Sequence, residues 1–271
     1  MKVTFVYTDY NPYGYNQNKF NLGIAILSAC LKRAGHKTEL IHISNNIDQK
    51  HFVARIRESN PSLIAFSSIT NMWPYIRKFT KWISELNIPT VHGGVHPTIA
   101  PDEVFSAEGV KIICRAEGEV AIVELCNNLQ AGISIEKIDN LWIKKENGDI
   151  IKNPIRPLIE DLDTLPFLDY EIFNYSQLED VKTYNNLVVM ASRGCPYSCT
   201  YCCNHLLKSL YPNNTKYLRF KSVDRLIDEI SDGLKQYPFL ERVGFLDDTL
   251  SQNKKWFNEF VEKYSSKIKL P

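Results

Sequence analysis

Nowhere does this 271-residue chain hold an apolar run near the roughly 18 residues that a bilayer-spanning helix requires. Its opening residues, Met1-Lys2-Val3-Thr4-Phe5-Val6-Tyr7, turn polar at once and lack the apolar core of a secretory leader. A cytoplasmic protein without a membrane partner is therefore expected. Excess charge of one sign is missing as well, since 32 basic residues stand against 31 acidic ones. That balance supplies no positive field for phosphate backbones, and no nucleic-acid partner is expected. Internal repeats and low-complexity segments are absent. So is a disulfide framework: the seven cysteines are odd in number, and Cys30, Cys114 and Cys126 are scattered singly among apolar neighbours. The other four crowd into the segment from Cys195 to Cys203. An odd, clustered set in a reducing compartment favours metal or redox chemistry over bridges.

Through the first half, short apolar runs alternate with amphipathic stretches. Strands are predicted at residues 2–7, 38–43, 63–68, 90–92 and 110–114, with helices at 20–34, 49–59, 75–86, 101–107 and 119–130. This alternation argues for an α/β fold, a Rossmann-like doubly wound parallel sheet over residues 1–135. No G-x-G-x-x-G follows the first strand, which counts against a dinucleotide. Between 136 and 184 the pattern changes. Leu141-Trp142-Ile143, Asn147-Gly148-Asp149 and Ile150-Ile151 read as a hairpin with an Asn-Gly turn, and Pro154, Pro157 and Pro166 follow without a sustained period. A hairpin and linker are expected there. From residue 185 onward regular structure resumes, with strands at 187–191 and 243–246 and helices at 223–237 and 254–264.

The second strand–helix region opens on Ser192-Arg193-Gly194-Cys195-Pro196-Tyr197-Ser198-Cys199-Thr200-Tyr201-Cys202-Cys203, which contains C-x3-C-x2-C. Three thiolates on one short loop can take three corners of a four-iron cluster. The fourth iron is then open to a substrate, as an open position is in other catalytic metal sites. Blander readings use the same residues. Cys199-x-x-Cys202 alone suits a thioredoxin-like pair, but that motif belongs at a helix start without a third cysteine upstream. Cys195, Cys199, Cys202 and His205 compose a zinc set, yet no second ligand pair lies elsewhere to complete the usual geometry. Cys203 offers a fourth ligand, but adjacent side chains in an extended loop point apart, so it is expected to pack inward.

The run from Ser192 to Cys202 resembles the signature of the radical S-adenosylmethionine (SAM) superfamily, C-x3-C-x-aromatic-C, with Tyr201 at the aromatic position. The resemblance implies a partial TIM barrel starting in residues 185–271 and a 4Fe-4S cluster on Cys195, Cys199 and Cys202. It implies Tyr201 near the adenine of SAM, and reductive cleavage of SAM to methionine and a 5′-deoxyadenosyl radical. The electron would come from an external one-electron donor such as flavodoxin or ferredoxin. Phe245-Leu246-Asp247-Asp248-Thr249-Leu250 resembles the family's F-x-D-D-x-F element, with Leu250 where an aromatic is usual. At the carboxyl end of a barrel strand, Asp247 and Asp248 are expected to meet SAM or substrate, or else to cap the helix entering at Asn253. Arg219-Phe220-Lys221-Ser222 is similar to the family's basic stretch before the first barrel helix.

Open α/β sheets bind ligands outside their strand ends. The loops there run from Thr8 to Gly23, Ser67 to Asn71, His92 to Thr98 and Arg115 to Glu119. Glycine pairs let backbone approach a bulky ligand, and hydroxyls supply hydrogen bonds. Asn21-Leu22-Gly23-Ile24-Ala25-Ile26-Leu27, Gly93-Gly94-Val95-His96-Pro97-Thr98 and Arg115-Ala116-Glu117-Gly118-Glu119 together resemble the cobalamin-binding domain of the B12-dependent radical SAM branch. That implies cobalamin contacts from Ser68, Thr70, Asn71, Gly93, Gly94, His96, Glu117 and Gly118. Methionine-synthase-like domains carry D-x-H-x-x-G, whereas Asp9-Tyr10-Asn11-Pro12-Tyr13-Gly14 holds no histidine, which implies cobalamin bound without a histidine ligand. His92 reads as a core residue, His96 as either core or corrin contact. Glu117 and Glu119 read as cofactor contacts or as acidic groups at a helix start.

The combined resemblance implies a radical enzyme with a small-molecule substrate, most often a methyl transferase to an unactivated carbon. A radical cyclase or rearrangement enzyme on the same cofactors is the alternative, and a non-catalytic cobalamin-binding module is the reading from another class. From Cys195 to Pro271 run 77 residues. A strand–helix–strand unit takes about 30 or more, so two of the family's six strand–helix units fit, and residues 267–271 read as the opening of a third strand. A truncated product with an exposed parallel edge, prone to aggregation, is expected.

Overall fold

A computed structural model describes residues 1–13 and 18–271. The chain divides into two compact units, Met1–Asn18 with Gly23–Arg156, and Lys19–Leu22 with Pro157–Pro271. In the first half the elements run β1 (Lys2–Thr8), α1 (Leu22–Arg33), β2 (Lys37–Ile43), α2 (Gln49–Ser59), β3 (Leu63–Ser67), α3 (Trp73–Ile83), β4 (Thr90–Gly93), α4 (Val95–Ile99), α5 (Pro101–Ser106), β5 (Ile112–Cys114) and α6 (Glu119–Ala131). Strands β1 to β5 pair in parallel in the order β2-β1-β3-β4-β5. Six consecutive residues of β1 are buried, as a strand covered on both faces requires. Val6, Ile41, Phe66 and Ile113 of the sheet pack against Phe52, Ile76 and Phe79 of α2 and α3. The Asp48 carboxylate caps α2 by accepting from the His51 backbone N–H, and Asn60 ends it in the left-handed region at φ 46°. Strand order reverses between β1 and β3, so the ligand crevice of such a sheet lies at their carboxyl ends.

A hairpin of β6 (Leu141–Lys144) and β7 (Ile150–Lys152) extends this sheet, β6 running antiparallel to β5 with Ile113 opposite Trp142. The hairpin expected in the linker is thus an edge of the first sheet. The expected parallel sheet is mixed there, and the first unit ends at Arg156. Leu141 and Ile143 bury on one face, which secures the pairing. A short helix, α4, occupies the glycine loop where none was predicted.

In the second unit the elements are α7 (Glu179–Tyr184), β8 (Asn186–Val189), β9 (Ser192–Arg193), α8 (Asn204–Lys208), β10 (Arg219–Phe220), α9 (Val223–Gln236), β11 (Arg242–Phe245) and α10 (Lys254–Lys267). β8 and β11 pair in parallel, and α9 connects them. A Cβ on Gly233 of α9 would lie 2.9 Å from Leu187, so glycine permits the close approach of helix to strand. The stretch before α7, expected to be irregular, is well packed, with Leu162, Tyr170, Tyr175 and Leu178 buried. It closes the outer edge of β8. The Tyr175 hydroxyl accepts from the Val188 N–H and donates to the Asn186 carbonyl, both at 2.8 Å, and the Tyr170 hydroxyl donates to the Val188 carbonyl at 2.9 Å. The expected bare edge is therefore covered on this side. On the far side of β11, the Val243 N–H donates to the carbonyl of Pro271 at 3.0 Å. Among the described residues no helix is long and apolar enough to cross a membrane.

Candidate functional site

Three loops lie side by side at the carboxyl ends of β3, β4 and β5. The Ser68 N–H donates to Gly93 O at 3.0 Å, and His96 N–H to Ser68 O at 3.1 Å. The Ala116 N–H donates to the Thr98 hydroxyl oxygen at 3.0 Å. Gly94 has φ +97°, and a Cβ there would sit 2.6 Å from the Ser68 carbonyl, so only glycine fits this edge. Thr70, Asn71 and Gly94 are exposed, while Gly93, Glu117 and Gly118 are half-buried. An exposed glycine beside a hydroxyl and an amide suits a broad ligand lying against backbone, so this donor set fits a corrin.

Two of the expected contacts face inward. Ser68 is buried and serves through its backbone. His96 is buried too. Its Nδ1 lies 3.3 Å from the Thr70 hydroxyl and its ring tilts across Trp73 at 5.2 Å, so it braces the loop from beneath, and burial lowers its pKa. His92 is a core residue, stacked on Phe66 at 4.7 Å, and burial pushes its pKa down to about 3. Glu119 is buried at the first position of α6, whose cap position is Gly118. The loop read from Thr8 to Gly23 includes residues 14–17, which lie outside the described residues. Before them, Asn11 Oδ1 accepts from the Tyr13 N–H at 3.0 Å, so the side chain at the histidine position of D-x-H-x-x-G closes a local turn. The buried Asp9 carboxylate lies 3.0 Å from His42 Nε2. Sequence reasoning missed two features of this edge: Ala116 at φ +63°, and the Asn140 side chain beneath it.

In the second unit the cysteine loop leaves β8 and β9 and runs into α8. Cys195 and Cys202 are half-buried, Cys199 is exposed, and none forms a disulfide. Gly194 starts the loop at φ +86°, where a Cβ would meet the Tyr217 carbonyl at 2.5 Å. Lys208 Nζ donates to Pro196 O at 3.2 Å, and the Cys202 N–H to Cys199 O at 3.1 Å. His205 Nδ1 donates to Cys202 O at 2.5 Å, which engages the ring in holding the loop. The Tyr201 ring is 90% exposed beside the Cys199 thiol, whose hydrogen bond raises the phenol's pKa. Cys203, the cap residue at the start of α8, is exposed and does not pack inward as expected.

Asp247 and Asp248 end β11 with different partners. Asp247 accepts from the backbone N–H of Ala191 at 3.0 Å and of Ser192 at 2.5 Å, and also from the Ser192 hydroxyl. Burial raises its pKa despite those bonds. Asp248 is exposed and accepts from Asn204 Nδ2 at 3.0 Å. Neither caps α10, whose cap is Asn253, with Oδ1 accepting from the Trp256 N–H at 3.2 Å. Among the described residues no three His, Cys, Asp or Glu side chains converge on one metal position. A four-iron cluster places each thiolate on a different iron and needs no such point. Three unbridged thiols on one accessible loop fit it as a donor set.

Residues 16–126 match the family model of the B12 binding domain. The chain is 31% identical over 241 residues to an uncharacterized methyltransferase of Pyrococcus horikoshii, a match covering 86% of this chain and 50% of that protein. Among solved structures, the cobalamin-dependent S-adenosylmethionine radical enzyme OxsB with aqua-cobalamin and SAM bound aligns at TM-score 0.71 and 20% identity, over 92% of this chain and 34% of that one. The radical SAM methyltransferase TsrM of Kitasatospora setae aligns at TM-score 0.71 and 15% identity, over 98% and 52%. The chain spans about half the length of these relatives, or less. Most of the first unit thus lies within the match to the B12 binding domain. In fold, the chain resembles the cobalamin-dependent radical SAM enzyme OxsB and the radical SAM methyltransferase TsrM over nearly its whole length.

Proposed function

We propose that this chain is the cofactor-bearing part of a cobalamin-dependent radical SAM methyltransferase, which transfers a methyl group to an unactivated carbon of a small-molecule substrate. The observation that carries the reading is the three-thiol loop, delivered from the end of β8 in a chain whose first unit matches the B12 binding domain. The similarity to a methyltransferase of Pyrococcus horikoshii supports methyl transfer as the outcome. Cys195, Cys199 and Cys202 would hold the 4Fe-4S cluster, Tyr201 would flank the adenine of SAM, and Asp248 would meet SAM from the next strand. Asp247 would set the start of the cysteine loop, because its oxygens already hold Ala191 and Ser192. Thr70, Asn71, Gly93, Gly94, Glu117 and Gly118 would face cobalamin, with Ser68 and His96 supporting them from below. When bound, the cluster supplies an electron to SAM from an external donor such as flavodoxin or ferredoxin, and cobalamin supplies a methyl carrier. Such a cluster calls for a reducing compartment, so the cytoplasm is the proposed location.

Anaerobic reconstitution of the purified chain tests this. Four irons per chain, a visible thiolate-to-iron absorbance, and 5′-deoxyadenosine released on reduction with SAM are expected. Alanine at Cys195, Cys199 or Cys202 should abolish iron uptake, while Cys203→Ala should retain it. Zinc bound in place of iron, or a colourless protein after iron and sulfide are supplied, would overturn the proposal. Corrin binding without a cluster would favour a cobalamin-binding module instead.

A further inference from the structure

We infer that the β6–β7 hairpin, which lies beyond the matched domain, is a working part of the corrin-facing edge, and that Asn140 is the positioning residue that fixes the Arg115–Gly118 loop. The inference rests on the proposed cobalamin site. Asn140 is 1% exposed and sits where the chain enters β6, past residue 126, the end of the family match. Its side-chain amide is fully engaged. Nδ2 donates to Arg115 O at 2.7 Å and to Glu117 O at 3.1 Å, and Oδ1 accepts from the Arg156 N–H at 3.0 Å. Its main chain takes part as well: the Arg115 N–H donates to Asn140 O at 2.9 Å, and the Asn140 N–H to Pro154 O at 2.8 Å.

The residue between the two clamped carbonyls is Ala116, at φ +63°. A side chain with a Cβ rarely adopts that conformation, so a loop left alone would relax out of it. One amide group bridging the carbonyls on either side of Ala116 holds the turn closed. From the opposite side the Ala116 N–H donates to the Thr98 hydroxyl, which itself donates to Gly94 O at 2.8 Å. Asn140 therefore braces, through one turn, the glycine loop after β4 and the loop leading to Gly118. Trp142, two residues on, adds a second hold, its ring lying 4.3 Å from the Arg115 guanidinium, which donates to Thr98 O. The chemistry demands this side chain. Aspartate keeps the shape but has no N–H to give and sets a charge against two carbonyls, and alanine removes all three of these side-chain bonds.

The test uses the whole chain, in wild-type form and as Asn140→Asp, Asn140→Ser and Asn147→Ala, the last at the exposed hairpin turn. Hydroxocobalamin is titrated into each and followed by corrin absorbance, and amide hydrogen exchange is measured without cobalamin. Asn140→Asp is expected to weaken binding at least tenfold and to speed exchange at Arg115 and Ala116 more than tenfold, with β1 amides unchanged. Asn140→Ser, which keeps one donor, should fall between, and it carries the test if the aspartate variant does not fold. Asn147→Ala should match wild type. Tight binding by wild type and by both Asn140 variants alike would overturn the inference and leave the cobalamin site standing. No binding by wild type would overturn the site and the inference together.

Discussion

Asp247 and Ser192 are joined twice: the carboxylate at the end of β11 accepts both the Ser192 backbone N–H, at 2.5 Å, and the Ser192 hydroxyl. A third bond, from the Ala191 N–H at 3.0 Å, comes from the residue before. The neighbouring strand thereby sets the direction in which the chain leaves β8, three residues before Cys195. Charge-assisted bonds of this kind are stronger than neutral ones. Their role is to aim a loop, so the consequence of losing them should appear in metal content.

Asp247→Asn presents an amide N–H to at least one donor that the carboxylate now satisfies. Destabilisation of about 2 kcal/mol is expected, read from the urea midpoint. Iron incorporated on anaerobic reconstitution should fall by half or more, while hydroxocobalamin binding holds. Wild-type iron content in a folded Asp247→Asn protein would show that the loop finds its course without this carboxylate.

His92 gives a pH dependence of known sign. Burial takes its pKa from 6.5 to about 3, and among the described residues neither ring nitrogen has a hydrogen-bond partner. Below about pH 6.5 the unfolded chain binds a proton there that the folded chain refuses. Its contribution is complete above that pH and is lost as pH falls toward 3, at up to about 1.4 kcal/mol per pH unit. His92→Leu should match wild type within about 1 kcal/mol near pH 7.5, since no bond is broken. Near pH 5 it should be about 2 kcal/mol the more stable relative to that starting point. Urea titrations at the two pH values decide it, and parallel losses in both proteins would remove His92 as the cause.

The two tyrosines that bond to the edge of β8 should differ in cost. Tyr175→Phe removes one hydroxyl that makes two bonds and leaves the Val188 N–H buried without a partner, which predicts a loss of about 2 kcal/mol. Tyr170→Phe removes a single donated bond, for about 1 kcal/mol. Both keep the ring contact, whose centroids are 4.8 Å apart. Hydrogen exchange at Val188 should accelerate in the first variant and stay near wild type in the second. Equal effects would mean that the rings, and not the hydroxyls, close this edge.

Much of the fold was legible because it is written in local patterns. The alternation of apolar runs with amphipathic stretches located β1 through β5, and chain order alone marked which loops meet at their carboxyl ends. That Cys195, Cys199 and Cys202 share one loop was legible for the same reason, since they are close in sequence. The hairpin was read correctly as a hairpin but assigned to the linker, since nothing local says that β6 pairs with β5. Ser68 was read as a contact and His96 as either contact or core, because a loop sequence carries no sign of which side chains turn inward.

What the residues determined unaided was the chemistry on offer: three thiols at fixed spacing, a glycine pair at a strand end, and alternating elements that bury one another. Tertiary structure alone decided who supports whom. Asp247 reaches back 55 residues to Ser192, and Asn140 reaches 25 to Arg115. Such bonds depend on strands brought together by burial of distant apolar surface, and that long-range choice has no signature in the neighbouring sequence.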